Sequence, residues 1–483
     1  MAPFLKIILS TCVVANSVIR IEAFTLPAST TTISPSSTST DYRRSSIDKN
    51  SMGENIATMR IRGGGAGTKV SSSASASDPA AKAKRVRIYA FDSMRFFLIV
   101  NIVLGHFIAF ANPSEFLFKL VSNHNAAVGA FFALSGYVLT YTSTENAQRE
   151  PSPRLVDTPK QKWILSKIFG YYPLHLAVLA LFSPVFLYAD VSYNGWLVAL
   201  WHGILSMTLT QAWFPLHAEV WNAPTWYLSA LAFCTSIVPF SLPSLAKMTK
   251  PQLRRTAGWI FMVFFLPKLG YLYDFNTWTL FEGVTSAKAH PNLAVFNMLR
   301  FSPLFNVAEF LLGAVACRLV MLDGASDEAD APKTNALSTI APLSIAFGSM
   351  YLRATGVLNV SDMIFRSIIF VPLYLKFLMA AHRNTVSSTV KDPLVKLLSN
   401  KFLVTLGNLS FPIFIAHGPV GQIFFKKIIA SKLFGAALRG PTNFAAYLAT
   451  TVAVAFVLQK AFLQNKAVAD WSKKTVDKLS TWM

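Results

Sequence analysis

The pattern of hydrophobic and polar positions divides the chain into two unequal parts. Up to about residue 84, Ser and Thr dominate after a short apolar start; from Phe91 almost to the C-terminus, long apolar runs alternate with short polar segments. Most runs approach the roughly 20 residues that an α-helix needs to cross a hydrocarbon core of about 30 Å. The pattern therefore predicts an all-α fold, a polytopic membrane helix bundle, with one membrane domain over residues 85–465.

The apolar runs predict about 10–11 transmembrane helices. Two basic segments between them, Lys160–Lys167 and Lys247–Arg255, should lie on the same, non-translocated side. Three predicted spans separate these segments, so we expect one of the three to be re-entrant or not to be a span. The predicted spans are Phe91–Ala111, Ala126–Thr142, Ile168–Ala189, Trp196–Trp213, Thr225–Leu242, Trp259–Tyr273, Phe301–Leu322, Leu337–Leu352, Ile364–Ala381, Phe402–Lys426 and Asn443–Leu463.

The segments outside the membrane domain predict targeting and flexibility. Residues 1–23 have the basic residue, apolar stretch and small residue of a secretory signal peptide. Residues 24–84 have too few large apolar side chains to bury a core, so we expect disorder there. Together they resemble the bipartite presequences that direct proteins into complex plastids; the alternative is an ordinary secretory signal with a flexible tail in an endomembrane protein. Residues 466–483 form a short C-terminal tail in this interpretation.

Composition supports a membrane protein and argues against other classes. Hydrophobic residues make up 53% of the chain and charged residues 14%, against roughly 25% charged in soluble domains. The net charge of +21 comes from short clusters between apolar runs, so it does not predict a nucleic-acid partner. Cys12, Cys234 and Cys317 have no Cys-x-x-Cys spacing and no partnering His, so neither a metal site nor a disulfide framework is predicted.

Two ionisable residues in the first predicted span are candidates for chemistry. Arg95 and His106 are almost three helical turns apart and share one face, which Asp92 joins. An Arg facing lipid costs roughly 2.5–3.5 kcal/mol on insertion scales, so we expect both residues to face one interior crevice. Arg95 is suited to hold an anionic group and His106 to transfer a proton. The alternatives are a snorkelling Arg and a structural inter-helix contact for the His.

The stretch FDSMRFFLIVNIVLGHF, which contains Arg95 and His106, is the first of six motifs. The others are AFFALSGYVLTY, KIFGYYPLHL, NAPTWYLSALAF, RFSPLFNVAEFLLGAV and LGNLSFPIFIAHGPV, in that order along the chain. In sequence and order the six resemble the motifs of the acyltransferase-3 family, integral membrane acyltransferases that include bacterial O-acetylases of glycans and peptidoglycan. Residues 85–465 therefore resemble an acyltransferase-3 membrane domain.

Three positions depart from the family pattern. Gly170 occupies the place where an Arg usually precedes Tyr-Pro, which leaves Lys167 as the nearest cation. Leu231 replaces the acidic residue usual after Trp-x-Leu-Ser, and the Glu-Pro usual near the last helix is missing. These departures put the donor contacts in question and leave open an inactive member that acts as a membrane scaffold.

The resemblance implies an O-acyltransferase that moves an acyl group, acetyl by family habit, from an acyl-CoA co-substrate to a hydroxyl group. The acceptor would be a carbohydrate, a lipid or another membrane-soluble compound, such as a xanthophyll in a plastid. No other cofactor is implied. His106 would be the general base or would carry the acyl group, and Arg95 would position the donor. The alternative is a transporter or flippase of an anionic substrate that uses Arg95, His106 and Glu309.

Several further residues are predicted to bind substrate, and most have a structural alternative. Asp92 would orient Arg95, or is simply a polar residue at a helix start. Ser135 lacks a Gly-x-Ser-x-Gly elbow, so close helix packing is favoured over a nucleophile. Lys167 would contact the donor. The remaining candidates are Glu309, as a partner of a buried cation or a catalytic acid; His417, as a pocket residue or an inter-helix contact; and Trp226, as a substrate platform or an interfacial anchor.

Overall fold

A computed structural model describes residues 85–145, 149–284, 289–323, 335–387 and 391–482. The described residues form helices and connecting turns, and they contain no strand. The all-α fold predicted from the sequence is therefore confirmed. The predicted signal peptide and the predicted disordered region, residues 1–84, lie outside the described residues.

The α-helices are numbered in chain order. The first part of the chain forms α1 (Tyr89–Phe107), α2 (Glu115–Val121), α3 (His124–Ser143), α4 (Pro153–Val156), α5 (Lys160–Ile168), α6 (Tyr172–Asn194) and α7 (Trp196–Thr208). The middle part forms α8 (Trp226–Ser236), α9 (Val238–Lys247), α10 (Lys250–Asp274), α11 (Leu293–Phe301), α12 (Pro303–Met321) and α13 (Leu337–Ala354). The last part forms α14 (Asp362–Ile364), α15 (Val371–Val386), α16 (Pro393–Leu398), α17 (Lys401–Asn408), α18 (Ser410–Phe425), α19 (Lys427–Phe434), α20 (Pro441–Leu458) and α21 (Lys466–Trp482).

Short non-α helical segments connect or extend these helices. The 3₁₀ segments are Ile108–Ala111, Gln211–Trp213, Pro215–His217, Ala223–Thr225 and Leu280–Gly283, and the π segments are Phe365–Phe370, before α15, and Gln459–Leu463, after α20. Helix starts follow ordinary capping chemistry. The Thr249 side chain accepts from the Gln252 backbone N–H at the start of α10, and the Gln252 side chain accepts in return.

Seven helical stretches in the described residues are long and apolar enough to cross a membrane. They are Tyr89–Ala111, Glu115–Ser143, Tyr172–Asn194, Lys250–Asp274, Leu293–Asp323, Asp362–Val386 and Pro441–Leu463. Two bent pairs, α8 with α9 at 54° and α17 with α18 at 49°, raise the number to nine if each pair is one span. The chain is therefore a multi-pass membrane protein.

This count is lower than the 10–11 spans predicted from the sequence. Helix α7 has only 13 residues, and α13 carries three Ser, a Thr and Arg353 that lower its hydropathy. Helix α7 is one of the three predicted spans between the two basic segments. Because α7 is too short to be a span, two spans remain between the segments, and an even number places both segments on the same side. Lys160 Nζ lies 4.5 Å from the centre of the Phe240 ring in α9, so the two segments adjoin at one end of the bundle.

Helices α3 and α12 form the centre of the bundle. In the spans that contain them, 83% of the most apolar stretch is buried, against 28% for the outer spans of α10 and α20. Two glycines allow the pair to approach closely: a Cβ at Gly136 would overlap the Phe310 carbonyl, and one at Gly313 would overlap the Ala133 carbonyl. Small residues at these two positions therefore let the backbones of α3 and α12 approach each other.

We predict that Gly136→Ala or Gly313→Ala destabilises the bundle by about 1–3 kcal/mol or more, because the new methyl group meets backbone that cannot rotate away. The measurement is the apparent melting temperature of the purified protein in detergent. Gly348→Ala is the matched control, since a Cβ there meets open space. Equal stability of all three variants would contradict this packing.

Candidate active site

The start of α1 carries a cluster of two guanidinium groups on one carboxylate. Arg95 Nη1 donates to Asp92 Oδ1 at 2.8 Å, and Arg87 Nη2 donates to Asp92 Oδ2 at 2.8 Å. The side chains of Asp92 and Arg95 are only 12% and 13% exposed. Asp92 therefore fixes the orientation of the Arg95 guanidinium, and the cluster keeps one surplus positive charge.

A cavity of about 10 Å³ lies beside Arg95. This volume is close to what one water molecule requires. Its walls include Ser135, Leu231 and Thr235, so Leu231, at the place where the family usually has an acid, faces the same space as Arg95. Ser135 also shares a hydrogen bond with Tyr227, with 3.3 Å between the two oxygens.

His106, near the other end of α1, contacts a second imidazole on α18. His106 Nδ1 and His417 Nε2 are 3.0 Å apart, and their rings stack with centres 5.2 Å apart. His417 Nδ1 in turn lies 2.6 Å from the Phe414 carbonyl oxygen. His417 is fully buried and makes an inter-helix contact, one of the two roles predicted for it.

The direction of these hydrogen bonds fixes the ring tautomers. A carbonyl oxygen can only accept, so His417 Nδ1 carries a hydrogen and donates to Phe414. In its neutral form His417 then accepts at Nε2, so His106 Nδ1 must donate to it. A neutral His106 therefore presents the lone pair of its Nε2, the arrangement that a general base or an acyl carrier requires.

A third imidazole, His124 at the start of α3, completes this histidine cluster. Its ring centre lies 5.1 Å from that of His106. Gly105 makes room for it, because a Cβ at that position would collide with the His124 ring. His124 was not among the predicted site residues, although an imidazole just before the predicted span Ala126–Thr142 is a usable signal.

Arg95 and His106 lie at two levels of the bundle instead of in one shared crevice. The cavity beside Arg95 is lined by residues of α1, α3, α8 and α12, and His106 is not among them. About 16 Å of helix separates the two residues. The cavity beside Arg95 is therefore not the expected common crevice, and any substrate that contacts both residues must extend along α1.

Glu309 on α12 pairs with a cation that the sequence analysis missed. Arg366 Nε donates to Glu309 Oε1 at 2.8 Å and Arg366 Nη2 to Oε2 at 2.5 Å, and both side chains are buried. Asn306 and Asn125 accept further bonds from the same guanidinium at 2.7 and 2.8 Å. Glu309 thus belongs to a structural ion pair, one of its two predicted roles.

Lys167 lines a cleft of about 550 Å³ between α5, the start of α6 and α21. Arg154, Lys162 and Lys473 contribute three further cations to its walls. Burial of the Lys167 ammonium, with a smaller contribution from the nearby Arg154, lowers the pKa of Lys167 to about 8. This basic cleft is much larger than the cavity beside Arg95.

Trp226 is fully buried, so the reading of this residue as an interfacial anchor is wrong. Its ring packs against Phe301, with centres 4.9 Å apart, and against Phe132 at 6.4 Å. Its indole Nε1 has no hydrogen-bond partner. An unsatisfied buried N–H costs roughly 1–3 kcal/mol, which is compatible with a polar ligand binding here.

A second histidine pair was also missed by the sequence analysis. Asp190 Oδ2 accepts from His202 Nδ1 at 2.8 Å and from Trp221 Nε1 at 3.0 Å, and His202 Nε2 lies 2.9 Å from His217 Nδ1. The Trp221 carbonyl accepts from Gln422 on α18. Asp190 thereby holds the loop before α8 against the helix that carries His417. An acid directly after the predicted span Ile168–Ala189 was the available signal in the sequence.

The fold and the site define a polytopic membrane protein with histidines and paired charges buried in its bundle. A family model described as an acyltransferase domain matches residues 88–460. Since this match covers well over half of the chain, the protein belongs to the acyltransferase-3 family and is a membrane acyltransferase. No curated protein and no solved structure matches the chain.

We predict that Glu309→Gln destabilises the protein by about 3–5 kcal/mol, because it leaves the Arg366 guanidinium buried without its carboxylate. The double variant Glu309→Gln with Arg366→Gln should recover much of this loss. Melting temperatures in detergent measure both effects. Glu115→Gln, which removes an exposed acid paired with Lys119, is the control and should change little. A Glu309→Gln protein with wild-type stability but no activity would instead make Glu309 a catalytic acid.

Proposed function

We propose that the protein is an O-acyltransferase that moves an acyl group, acetyl by family habit, from an acyl-CoA co-substrate to a hydroxyl group. The observation that carries the proposal is the hydrogen-bond chain from the Phe414 carbonyl through His417 to His106. This chain leaves His106 Nε2 as the basic atom in a protein of an acyltransferase family. Family membership favours this function over transport.

The reaction follows from that lone pair. His106 Nε2 takes the proton of the acceptor hydroxyl while the hydroxyl oxygen attacks the thioester carbonyl carbon. The C–S bond then breaks, and the leaving thiolate receives the proton from the imidazolium. In the alternative route Nε2 itself takes the acyl group and passes it to the hydroxyl. During either route His417 holds the His106 ring in the required tautomer.

The basic cleft is the proposed site for the phosphate groups of the donor. Its four cations surround a volume large enough for part of a small-molecule ligand. Arg154 and the partly buried Lys167 are suited to charge-assisted hydrogen bonds with phosphate oxygens. Lys167 thereby takes over the role of the Arg that Gly170 replaces in the family pattern.

The extended part of the acyl-CoA donor that carries the thioester would run from the cleft into the bundle. Tyr171, which directly follows Gly170 of the cleft, is fully buried and its hydroxyl has no partner. The Thr235 hydroxyl, beside Arg95, also has no partner. These groups offer hydrogen bonds to the polar atoms of an extended arm. Arg95, with the surplus charge of its cluster, would hold the donor near its carbonyl, and the cavity there must widen for entry.

The acceptor class and the final membrane that we propose depend on how residues 1–84 direct the protein. If this region is a bipartite presequence, the acceptor is a hydroxylated compound of a plastid membrane, for example a glycolipid or a xanthophyll. If it is a plain secretory signal, a glycan or lipid of the endomembrane system takes that place. Comparing esterified metabolites before and after gene deletion would identify the donor and the acceptor together.

We predict that His106→Ala lowers the rate of ester formation by about 100- to 10,000-fold, because the transition state loses its base. The assay uses purified protein in lipid, labelled acetyl-CoA and a hydroxyl-lipid extract. His417→Gln, which keeps an acceptor for His106 Nδ1, should retain more activity than His417→Leu. Uptake of label into vesicles without any ester would favour the transporter, and a labelled His106 in the absence of acceptor would favour the acyl-carrier route.

We predict that the affinity for coenzyme A falls as the pH rises through about 8. Lys167 is charged below its lowered pKa and loses its charge above it, so the favourable bond to phosphate is present at low pH and lost at high pH. The loss should be about tenfold or more. Isothermal titration at pH values on both sides of 8 measures it. Lys167→Arg is the matched control: it stays charged, so its affinity should remain flat where the wild type weakens.

A further inference from the structure

The C-terminal helix α21 carries a stripe of exposed aromatic and basic residues. Trp471, Lys474, Lys478 and Trp482 follow one another at spacings of three, four and four residues, so they lie along one side of the helix. Trp471 is 50% and Trp482 72% exposed, and both lysines are exposed. Lys478 Nζ lies 5.0 Å from the centre of the Trp482 ring.

The opposite side of α21 is already occupied by the protein. Val476 is buried, and Asp477 Oδ1 pairs with Lys162 Nζ on α5 at 2.7 Å. Trp471, at the first end of the stripe, packs beside Phe169, with ring centres 6.2 Å apart. These contacts fix the rotation of α21 about its axis. Lys474, Lys478 and Trp482 do not line the basic cleft, and Trp471 lies at the edge of the bundle.

The chain order places α21 at the surface of the membrane. The span Pro441–Leu463 ends three residues before α21 begins, and α5, which packs against α21, ends four residues before the span Tyr172–Asn194 begins. Both helices thus lie beside span ends, at one level. Trp is enriched at this level of membrane proteins, and helices with Lys and Trp on their outer sides bind there.

We propose that the stripe formed by Trp471, Lys474, Lys478 and Trp482 binds the headgroups of anionic lipids. The two tryptophans would insert at the headgroup boundary, and the two lysines between them would pair with lipid phosphates or carboxylates. The helix carries four lysines against two aspartates, which complements a negative surface. This binding does not depend on the acyl-transfer reaction. It would hold α21 down over the basic cleft, of which α21 forms one wall.

The test uses full-length protein in nanodiscs, with bimane attached at Thr481→Cys beside the stripe. Cys234 and Cys317 are buried, and Cys12→Ser removes the remaining thiol. Nitroxide-labelled lipid headgroups should quench bimane more strongly in discs that contain phosphatidylglycerol than in discs of phosphatidylcholine alone. In the discs with phosphatidylglycerol, Lys474→Gln and Lys478→Gln should each lower the equilibrium constant for contact between α21 and the lipid headgroups about fivefold. Lys474→Arg with Lys478→Arg should keep it.

Lys466→Gln with Lys473→Gln is the charge-matched control, because both residues lie off the stripe. A smaller effect of this control than of the stripe variants supports the proposal. Equal quenching in the two lipid compositions would overturn it, and so would an equal effect of the control. Strong quenching by iodide in water with none from the lipid would also overturn it, because α21 would then stand away from the membrane.

Discussion

Each ionisable side chain inside this bundle has to be compensated by other groups of the protein, because hydrocarbon supplies neither water nor counter-ions. Pairs of acidic and basic side chains in the described residues meet this constraint. Asp92 pairs with Arg95, Glu309 with Arg366, and Asp190 with His202. The Glu309–Arg366 and Asp190–His202 pairs also bring separate helical segments together, since each bond between helices fixes their relative depth and rotation. The same contacts therefore compensate the buried charges and position the helices in this protein.

The histidine cluster differs from these pairs, because His106 hydrogen-bonds to another imidazole, that of His417. The chain ends instead on a backbone carbonyl, that of Phe414. A carbonyl orients the ring without adding the negative charge by which a carboxylate stabilises the imidazolium form. The proposed base has to be a neutral ring when the acceptor arrives. Gly105 makes room for the His124 ring beside His106.

Helical periodicity explains which parts of the site could be predicted from sequence. The spacing of Asp92, Arg95 and His106 placed them on one side of α1, and Asp92 and Arg95 do pair. The partners on other helices could not be predicted from the sequence, because His417 follows His106 by 311 residues and Arg366 follows Glu309 by 57. Such pairings depend on the relative depth and rotation of helices, which no local pattern encodes.

The bends in the two bent pairs have a local cause in the sequence, which the length and hydropathy of the apolar runs do not show. Pro239 lies near the start of α9 and Pro412 near the start of α18, each just after the bend. A proline ring clashes with the carbonyl four residues earlier and cannot donate a hydrogen bond to it. An apolar run therefore predicted one straight helix where the backbone required two. The second bend matters for the site, since it sets the direction of the helix that carries His417.

The departure at Leu231 acquires a physical meaning from the cavity beside Arg95. An acid at this position would place a second carboxylate next to Arg95 and neutralise the surplus charge of the cluster. With Leu231 in the cavity wall, Asp92 alone serves both Arg87 and Arg95, and the positive charge remains. A site with a surplus cation favours a bound anion or a carbonyl that gains negative charge. The substitution is therefore compatible with an active acyltransferase, because Leu231 leaves the positive charge beside Arg95 uncompensated.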